Sequence, residues 1–554
     1  MGSLDGQFHI FAPQETWPWH NDQSRLRTAP AHVAIVPERS ILLKSFTQLT
    51  KRLAATIGMG MDAGPLEQMA ARATDTYCGA AGLAPSSLDF VPITHAEVAE
   101  MRRSLRGLVI ETFQKTRRVM FSYYSHKLFG ADGTDPHYRY FPDLTAEAVL
   151  LRAADVPGLS PELQPRRISR PSAWKMARAS APNKKRAKPD DRRPIVNRSA
   201  WPAACLDTPT ARALDWVGAC YLPQHAHIDI HRADSVIELL REFTEIGPST
   251  PVRACGSDVV SCFTNMPHEL IVRAWSFYRS TLQGSIQAIR VARRGRRAVS
   301  SAGAPPSRVH GQCMTITIDD TDVLLRHHLC TGFFMLGELV GMEVEGLAMG
   351  SPMGSALTRM ALIFCDLTFY YSLHGPELSP LGCRGRVYET VILGHVVWLL
   401  EVRYMDDYLL LWKGPSHLKA WDIGLIASSL AQRARERYPL PLERDDSLKF
   451  VGVDLKLNVD GSVAACPSIG HLGGRGGAFE FEGFSPYYSF IPDSTKRGII
   501  LGIVARVAQY TFPDNLRSEA LRAFRDHLTG VSGYPVSVFD SWAREGTRHW
   551  PPQL

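Results

Sequence analysis

Residues 403–412 read "RYMDDYLLLW". Two adjacent aspartates, Asp406 and Asp407, interrupt apolar residues that continue on both sides, from "VILGHVVWLL" at 391–400 to Trp412. Read as strands, the two runs make a β-hairpin with a charged tip. Adjacent carboxylates repel, and burial raises the cost of ionising both. A divalent cation reverses that balance, because hard oxygen donors at a tight turn suit Mg²⁺. Joining nucleotides by in-line phosphoryl transfer uses two such ions about 4 Å apart, bridged by shared carboxylates. The pair therefore needs a third carboxylate from a neighbouring strand. Asp258, in "GSDVVSCF" at 256–263, closes an apolar strand-like run and is the obvious supplier. Between the two lies "GLAMGSPM" at 346–353, a glycine-rich turn leading into a strong helical pattern. Taken alone, "MDD" reads equally well as a polar hairpin turn. The order of the three segments favours metal-dependent chemistry.

Bulk properties agree with a globular, multi-domain chain. Of 554 residues, 45% are apolar and 21% charged, enough to bury a large core. The net charge of +7 is concentrated in "RRISRPSAWKMARASAPNKKRAKPDDRRPIVNR" at 166–198 and "RVARRGRR" at 290–297, which points to an anionic partner. Ten cysteines are scattered without a CxxC pair, as expected of reduced thiols and not of a disulfide scaffold or zinc module. The first ten residues are polar and mixed, and the longest apolar run is about half of what a spanning helix needs. A soluble protein without a membrane partner is expected.

Along the chain, 1–92 carries no motif. Residues 94–128 place apolar side chains at three- and four-residue steps, which predicts helix, and 130–165 reads as loop. "KPDDRRPIV" at 188–196 reads as a polar turn entering a short strand, and "DSVIELLREFTEI" at 234–246 as an amphipathic helix. Residues 284–311, rich in Gly, Ser and Pro, read as an inserted basic loop. "SLKFVGVDLKLNVDGSVAAC" at 447–466 predicts a second hairpin turning at Asp460-Gly461, and helices follow Pro486. "HAHIDIH" at 225–231 lacks a second ligand cluster and reads as polar surface or turn, not as a zinc site.

These motifs resemble a known family. "YMDD" between apolar strands looks like the C motif of reverse transcriptases, and "DVVSCFTNMP" at 258–267 looks like their A motif. The wording is nearest to Penelope-like retroelement enzymes, whose A motif runs D-V-V-S-L-F-T-N-x-P and whose B motif runs G-x-A-M-G-S-P-L; "GLAMGSPM" is similar to the latter. "RRPIVN", the "KFVGVDLKLNVDGSV" hairpin and "SFIPDSTKRGIILGIVARV" resemble the family's fingers, F-L-D-L and thumb signatures. The resemblance covers about residues 174–542. The upstream D-K-G motif is not found, and no GIY-YIG endonuclease segment or Cys/His finger is legible.

The resemblance implies an α+β, right-hand polymerase fold with fingers, palm and thumb and a helical N-terminal extension. Its divisions would be 1–92 (role unknown), 93–165 (helical extension), 166–466 (fingers and palm, with the insertion 284–311) and 467–554 (helical thumb). It implies an RNA-directed DNA polymerase using deoxynucleoside triphosphates, with two Mg²⁺ ions, or Mn²⁺ in their place, at Asp258, Asp406 and Asp407 beside Val259. Phe263 would gate against a ribose 2′-hydroxyl. Arg193 and Lys184 would meet the triphosphate, and Gly350 with Ser351 would form a close-approach turn under the nascent base pair. Tyr404, Met405, Lys188, Arg293, Arg294, Lys496 and Arg497 would meet nucleic acid. Implied partners are an RNA template and a DNA primer or target; with no endonuclease legible, the enzyme is expected to prime from existing 3′ ends, to depend on a separate endonuclease, or to be a truncated or domesticated copy, and the DNA product and the basic runs point to the nucleus. A telomerase-type enzyme, an RNA-dependent RNA polymerase and a catalytically silent nucleic-acid-binding relic remain as alternatives. Solvated surface is the plain alternative for the arginine loop at 290–297 and for Lys496 and Arg497.

Overall fold

The hairpin expected around the Asp pair is present. The computed structural model describes residues 137–548 outside 181–182, 186–187, 193–194, 223–226, 233, 293–298, 303–312, 337–338, 348, 375–385, 446–447, 469–483, 485–486, 488–491 and 531. Ahead of these it describes only the strands Gly2–Leu4, Phe8–Ile10, Leu108–Thr112 and Val119–Tyr123 and residues 47, 68, 71 and 72. The hairpin lies in a five-stranded antiparallel sheet. In chain order its strands are β1 (Arg253–Val259), β2 (Val387–Ile392), β3 (His395–Tyr404), β4 (Asp407–Lys413) and β5 (Leu442–Asp445), and they lie in the order β2-β3-β4-β1-β5.

Both faces of this hairpin are covered, which explains an apolar sequence without alternation. Leu409 and Leu411 share one core with Val236, Leu240 and Phe243 of the helix Ser235–Glu245. Leu410 and Trp412 share another with Ile426, Leu430 and Ala434 of the helix Ala420–Arg437. Successive side chains of a strand point to opposite faces, so a strand sandwiched this way is apolar at every step. Each buried leucine contributes about 1.5–3 kcal/mol.

Next to the sheet, α1 (Ala204–Trp216), α2 (His268–Leu282) and α3 (Pro352–His374) build the largest core, from Leu214, Ile271, Trp275, Leu357, Met360 and their neighbours. A second five-stranded sheet runs Tyr138–Phe141, Leu339–Glu343, Phe333–Leu336, Arg178–Ser180, Ile195–Asn197 in spatial order. C-terminal to the central sheet, Val453–Leu457 pairs with Val463–Pro467 around the expected turn, where Gly461 takes φ +83°. The helices α4 (Asp493–Tyr510), α5 (Arg517–Gly530) and α6 (Val536–Thr547) then close on their own core of Ile500, Val504, Phe524 and Phe539. The fold is thus a mixture of helices and mostly antiparallel sheets. No helix among the described residues is long and apolar enough to cross a membrane.

The structure departs from several sequence expectations, one of them at "KPDDR", where the expected polar turn is a strand, Lys188–Arg192, paired with Asn183–Lys185. Within the helical stretch expected at 94–128, Leu108–Thr112 and Val119–Tyr123 pair as antiparallel strands. Their contiguous β-branched and aromatic residues ("LVIET", "VMFSY") outweigh the three- and four-residue spacing. The expected loop at 130–165 holds the strand Tyr138–Phe141 and the helix Ala146–Ala154, whose first turn is capped by the Thr145 hydroxyl accepting from Ala148 N–H at 3.2 Å. The basic insertion at 284–311 is not all loop. Its "AIRVA" segment, Ala288–Ala292, is the middle strand of a three-stranded sheet with Val299–Ser301 and Cys313–Thr317. Ile289 and Val291 reach the large core, and that burial overrides the turn-forming composition around them.

Candidate active site

The tip of the hairpin is a two-residue loop, Met405-Asp406, closed by Tyr404 opposite Asp407. Met405 sits at φ +56°, the left-handed backbone that tight hairpin loops demand of their first central residue. Directly across the sheet, Asp258 of β1 stands opposite Asp407, and Glu443 of β5 stands opposite Asp258. Opposed residues carry their side chains on one face, with Cα atoms about 4.5–5.5 Å apart. Three acids therefore run abreast over three strands, and Asp406 follows in the loop beside them. One more backbone bond locks the loop to β1: Val259 N–H donates to the Asp406 carbonyl at 2.9 Å.

Carboxylate oxygens in this number are the donor set of a hard divalent cation such as Mg²⁺. Among the described residues, no three His, Cys, Asp or Glu side chains are gathered closely enough to enclose an ion. What the structure supplies is the backbone adjacency of these acids. Nearby, burial first and the Asp406 charge next push the Cys262 thiol up to about 12, so that cysteine is a neutral packing group.

After β1 the chain turns sharply, with Ser261 at φ +47°. The turn presents Phe263, half-buried against the large core, and its carbonyl accepts from Leu347 N–H at 2.7 Å. Here the glycines of "GLAMG" have a physical cause. A Cβ on Gly346, at φ +82°, would lie 2.3 Å from the Thr264 carbonyl oxygen; on Gly350, at φ +113°, it would lie 2.8 Å from that of Val196. Met349 accepts from Val196 N–H at 2.9 Å, so the turn before α3 is pinned both to the segment after β1 and to the strand Ile195–Asn197. The Ser351 side chain is buried behind it.

Lys184 and Lys188 belong to the paired strands Asn183–Lys185 and Lys188–Arg192, whose side chains are outside the described residues, as are Arg193, Arg293 and Arg294 altogether. Lys496 is buried in the helical C-terminal unit, its ammonium 5.0 Å from the Tyr487 ring centroid and 3.3 Å from Asp493 Oδ1. Arg497 pairs with Glu545 between α4 and α6.

Sequence reading missed a buried charged cluster beneath the tip. The "HAHIDIH" segment is not polar surface: His227, Ile228, Asp229 and Ile230 are all buried. They line the edge of β3, with Arg403 N–H donating to the Ile228 carbonyl (2.9 Å) and Ile230 N–H to that of Arg403 (2.8 Å). The alternation of isoleucines with polar residues was the signal to follow, since a strand shows that period. Arg403 itself is fully buried. Its guanidinium lies 2.9 Å from Asp229 Oδ1 and 2.9 Å from Asp366 Oδ2 of α3, and it donates to the Met405 carbonyl at 3.1 Å. Arg359 of α3 joins Asp229 (3.4 Å) and Asp215 (2.9 Å) and lies 5.8 Å from the Tyr404 ring centroid. Burial works against the Arg403 charge, but Asp366 and Asp229 outweigh it and hold the guanidinium above the usual arginine range.

No protein-family model matches the sequence, and no curated protein is significantly similar to it. Among solved structures, the chain is similar to telomerase from Candida albicans in complex with a TWJ fragment of telomeric RNA (TM-score 0.47, 10% identity, covering 92% of this chain and 80% of that one). It is also similar to apo telomerase from Candida tropicalis (TM-score 0.39, 9% identity, 96% and 85%). A third similar structure is the BmCPV RNA-dependent RNA polymerase at elongation state (TM-score 0.34, 10% identity, 91% and 33%).

Proposed function

We propose that the protein is a template-directed nucleotidyltransferase, and that it extends a primer 3′ end with deoxynucleotides on an RNA template. The observation that carries this reading is the register of Asp258 against Asp407, with Asp406 in a loop bonded to Val259. A plain polar turn has no use for a second acid in register on the adjoining strand. Two Mg²⁺ ions (or Mn²⁺) at Asp258, Asp406 and Asp407 would supply Lewis-acid activation of the primer hydroxyl and neutralise charge on the leaving pyrophosphate.

The chain's own contribution is positioning. The β1–β4 register and the two-residue loop fix where the acids begin, and the glycine turn before α3 lies against the segment carrying Phe263. A bulky ring there would exclude a ribose 2′-hydroxyl, which is the reason for preferring DNA over RNA as product. The motif wording favours an enzyme similar to those of Penelope-like retroelements, and a DNA product together with the basic runs favours a nuclear site of action. A telomerase-type enzyme would use the same acids.

Primer extension with the wild type and Asp406→Asn tests the reading, offering dNTPs or rNTPs on RNA and DNA templates. RNA-templated DNA synthesis by the wild type alone supports it. Equal extension by both proteins would remove the site. Nucleic-acid binding without extension by either would leave the silent relic.

A further inference from the structure

Resting on that reading, we propose that Arg403 is a positioning residue for the metal-binding loop. Its guanidinium fixes the Met405-Asp406 turn by holding the Met405 carbonyl, while Asp229 and Asp366 fix the guanidinium.

A planar guanidinium offers five donors in a rigid fork, so it can satisfy several acceptors in set directions at once. Here its hydrogen bonds go to Asp366 on α3 and to the carbonyl of a loop residue at φ +56°, while Asp229 on the buried edge segment adds an ion pair at 2.9 Å. Tyr438 donates to the other oxygen of Asp366 at 2.8 Å, which fixes that carboxylate in turn. Burying a charge for stability alone is poorly rewarded, because an apolar group of similar volume often does as well. The contact such a replacement would lose is the one to the loop. A left-handed backbone at a non-glycine residue persists only where its surroundings enforce it, and the Arg403 side chain grips that carbonyl.

On the same strand, Glu401 offers a control. It is also buried and ion-paired, to Arg437 at 2.7 Å, yet its carboxylate bonds go to Tyr388, Tyr408 and Arg437 and not to the loop. Wild type, Arg403→Lys, Asp366→Asn and Glu401→Gln would be compared by thermal melting, by Mn²⁺ binding without nucleotide (electron paramagnetic resonance of free Mn²⁺), and by the Mn²⁺ dependence of primer extension. Arg403→Lys and Asp366→Asn are expected to weaken Mn²⁺ binding at least about tenfold, the scale of residues that orient metal ligands. Glu401→Gln should lower the melting temperature and leave Mn²⁺ binding unchanged. Whichever of Arg403→Lys and Asp366→Asn folds decides the matter, and wild-type Mn²⁺ binding in it overturns the proposal. So does failure of both to fold beside a folded Glu401→Gln, which would make the cluster purely structural. A wild type that binds Mn²⁺ but extends nothing would sink the polymerase reading alone; one that binds no Mn²⁺ would sink both.

Discussion

Val259 N–H donates to the carbonyl of Asp406 at 2.9 Å, one step beyond the opposed pair Asp258 and Asp407. The hairpin tip is thereby sewn to the neighbouring strand, and backbone bonds set the positions of the acids. Isosteric changes at the acids should leave the fold alone. Asp258→Asn and Asp407→Asn are expected to abolish extension while melting at or above the wild-type temperature, since removing one of several like charges relieves repulsion. A large drop in melting temperature would mean that the acids are structural.

Glu443 extends the acid row past Asp258 and is exposed. Glu443→Gln should reduce extension less than Asp258→Asn does and raise the Mg²⁺ concentration needed for half-maximal rate. A loss as complete as that of Asp258→Asn would make it an equal member of the site.

Phe263 emerges from the turn after β1. Phe263→Ala should leave dNTP use measurable and lower the preference for dNTP over rNTP, by about 10–100-fold on the scale of steric discrimination. Unchanged selectivity in competition assays would remove its role as a gate.

Gly346→Ala places a methyl 2.3 Å from the Thr264 carbonyl oxygen at φ +82°. The left-handed backbone and the clash together should cost at least about 2 kcal/mol, read from urea unfolding. An Ala variant as stable as wild type would show that the turn can move.

His227 is buried beside the arginines, and burial first, with Arg386 and Arg403 next, pushes its pKa down to about 2. Its folded value lies below the unfolded one, near 6.5, so the unfolded state binds the extra proton. Stability is full above pH 6.5 and falls as pH drops below it, by up to about 1.4 kcal/mol per pH unit for that group. His227→Phe should flatten this slope in urea melts between pH 5 and 7. An unchanged slope would place the acid sensitivity elsewhere.

Much of the site was legible because its signals are local. The Asp pair between apolar runs and the glycines of "GLAMG" mark a hairpin tip and close backbone approaches that the structure contains. The pairing of Asp258 with Asp407 was reachable as well, since a strand ending in an acid has few neighbours to choose from. What escaped reading depends on distant partners. Asp229 looks like surface until Arg403 and Arg359 stand beside it, and Glu443 sits in a polar stretch whose strand is created by pairing with β1. The "AIRVA" strand was hidden for the same reason, its burial coming from the large core and not from its own pattern.

The coverage of both hairpin faces has a consequence for how the chain finds its fold. Strand pairing is ordinarily kept in step by alternation, because sliding one residue turns a greasy side toward water. "YLLLW" carries no such marker, being greasy on both sides. Three polar groups along the hairpin have partners that the observed register provides. Glu401 sits between Tyr388 and Tyr408, Arg403 sits between two aspartates, and the Lys413 ammonium reaches the carbonyls of Phe243 and Ile246. A slide of one residue would strand all three without partners inside an apolar interior. The register that sets Asp407 across from Asp258 is thus also the one in which these buried polar groups have partners.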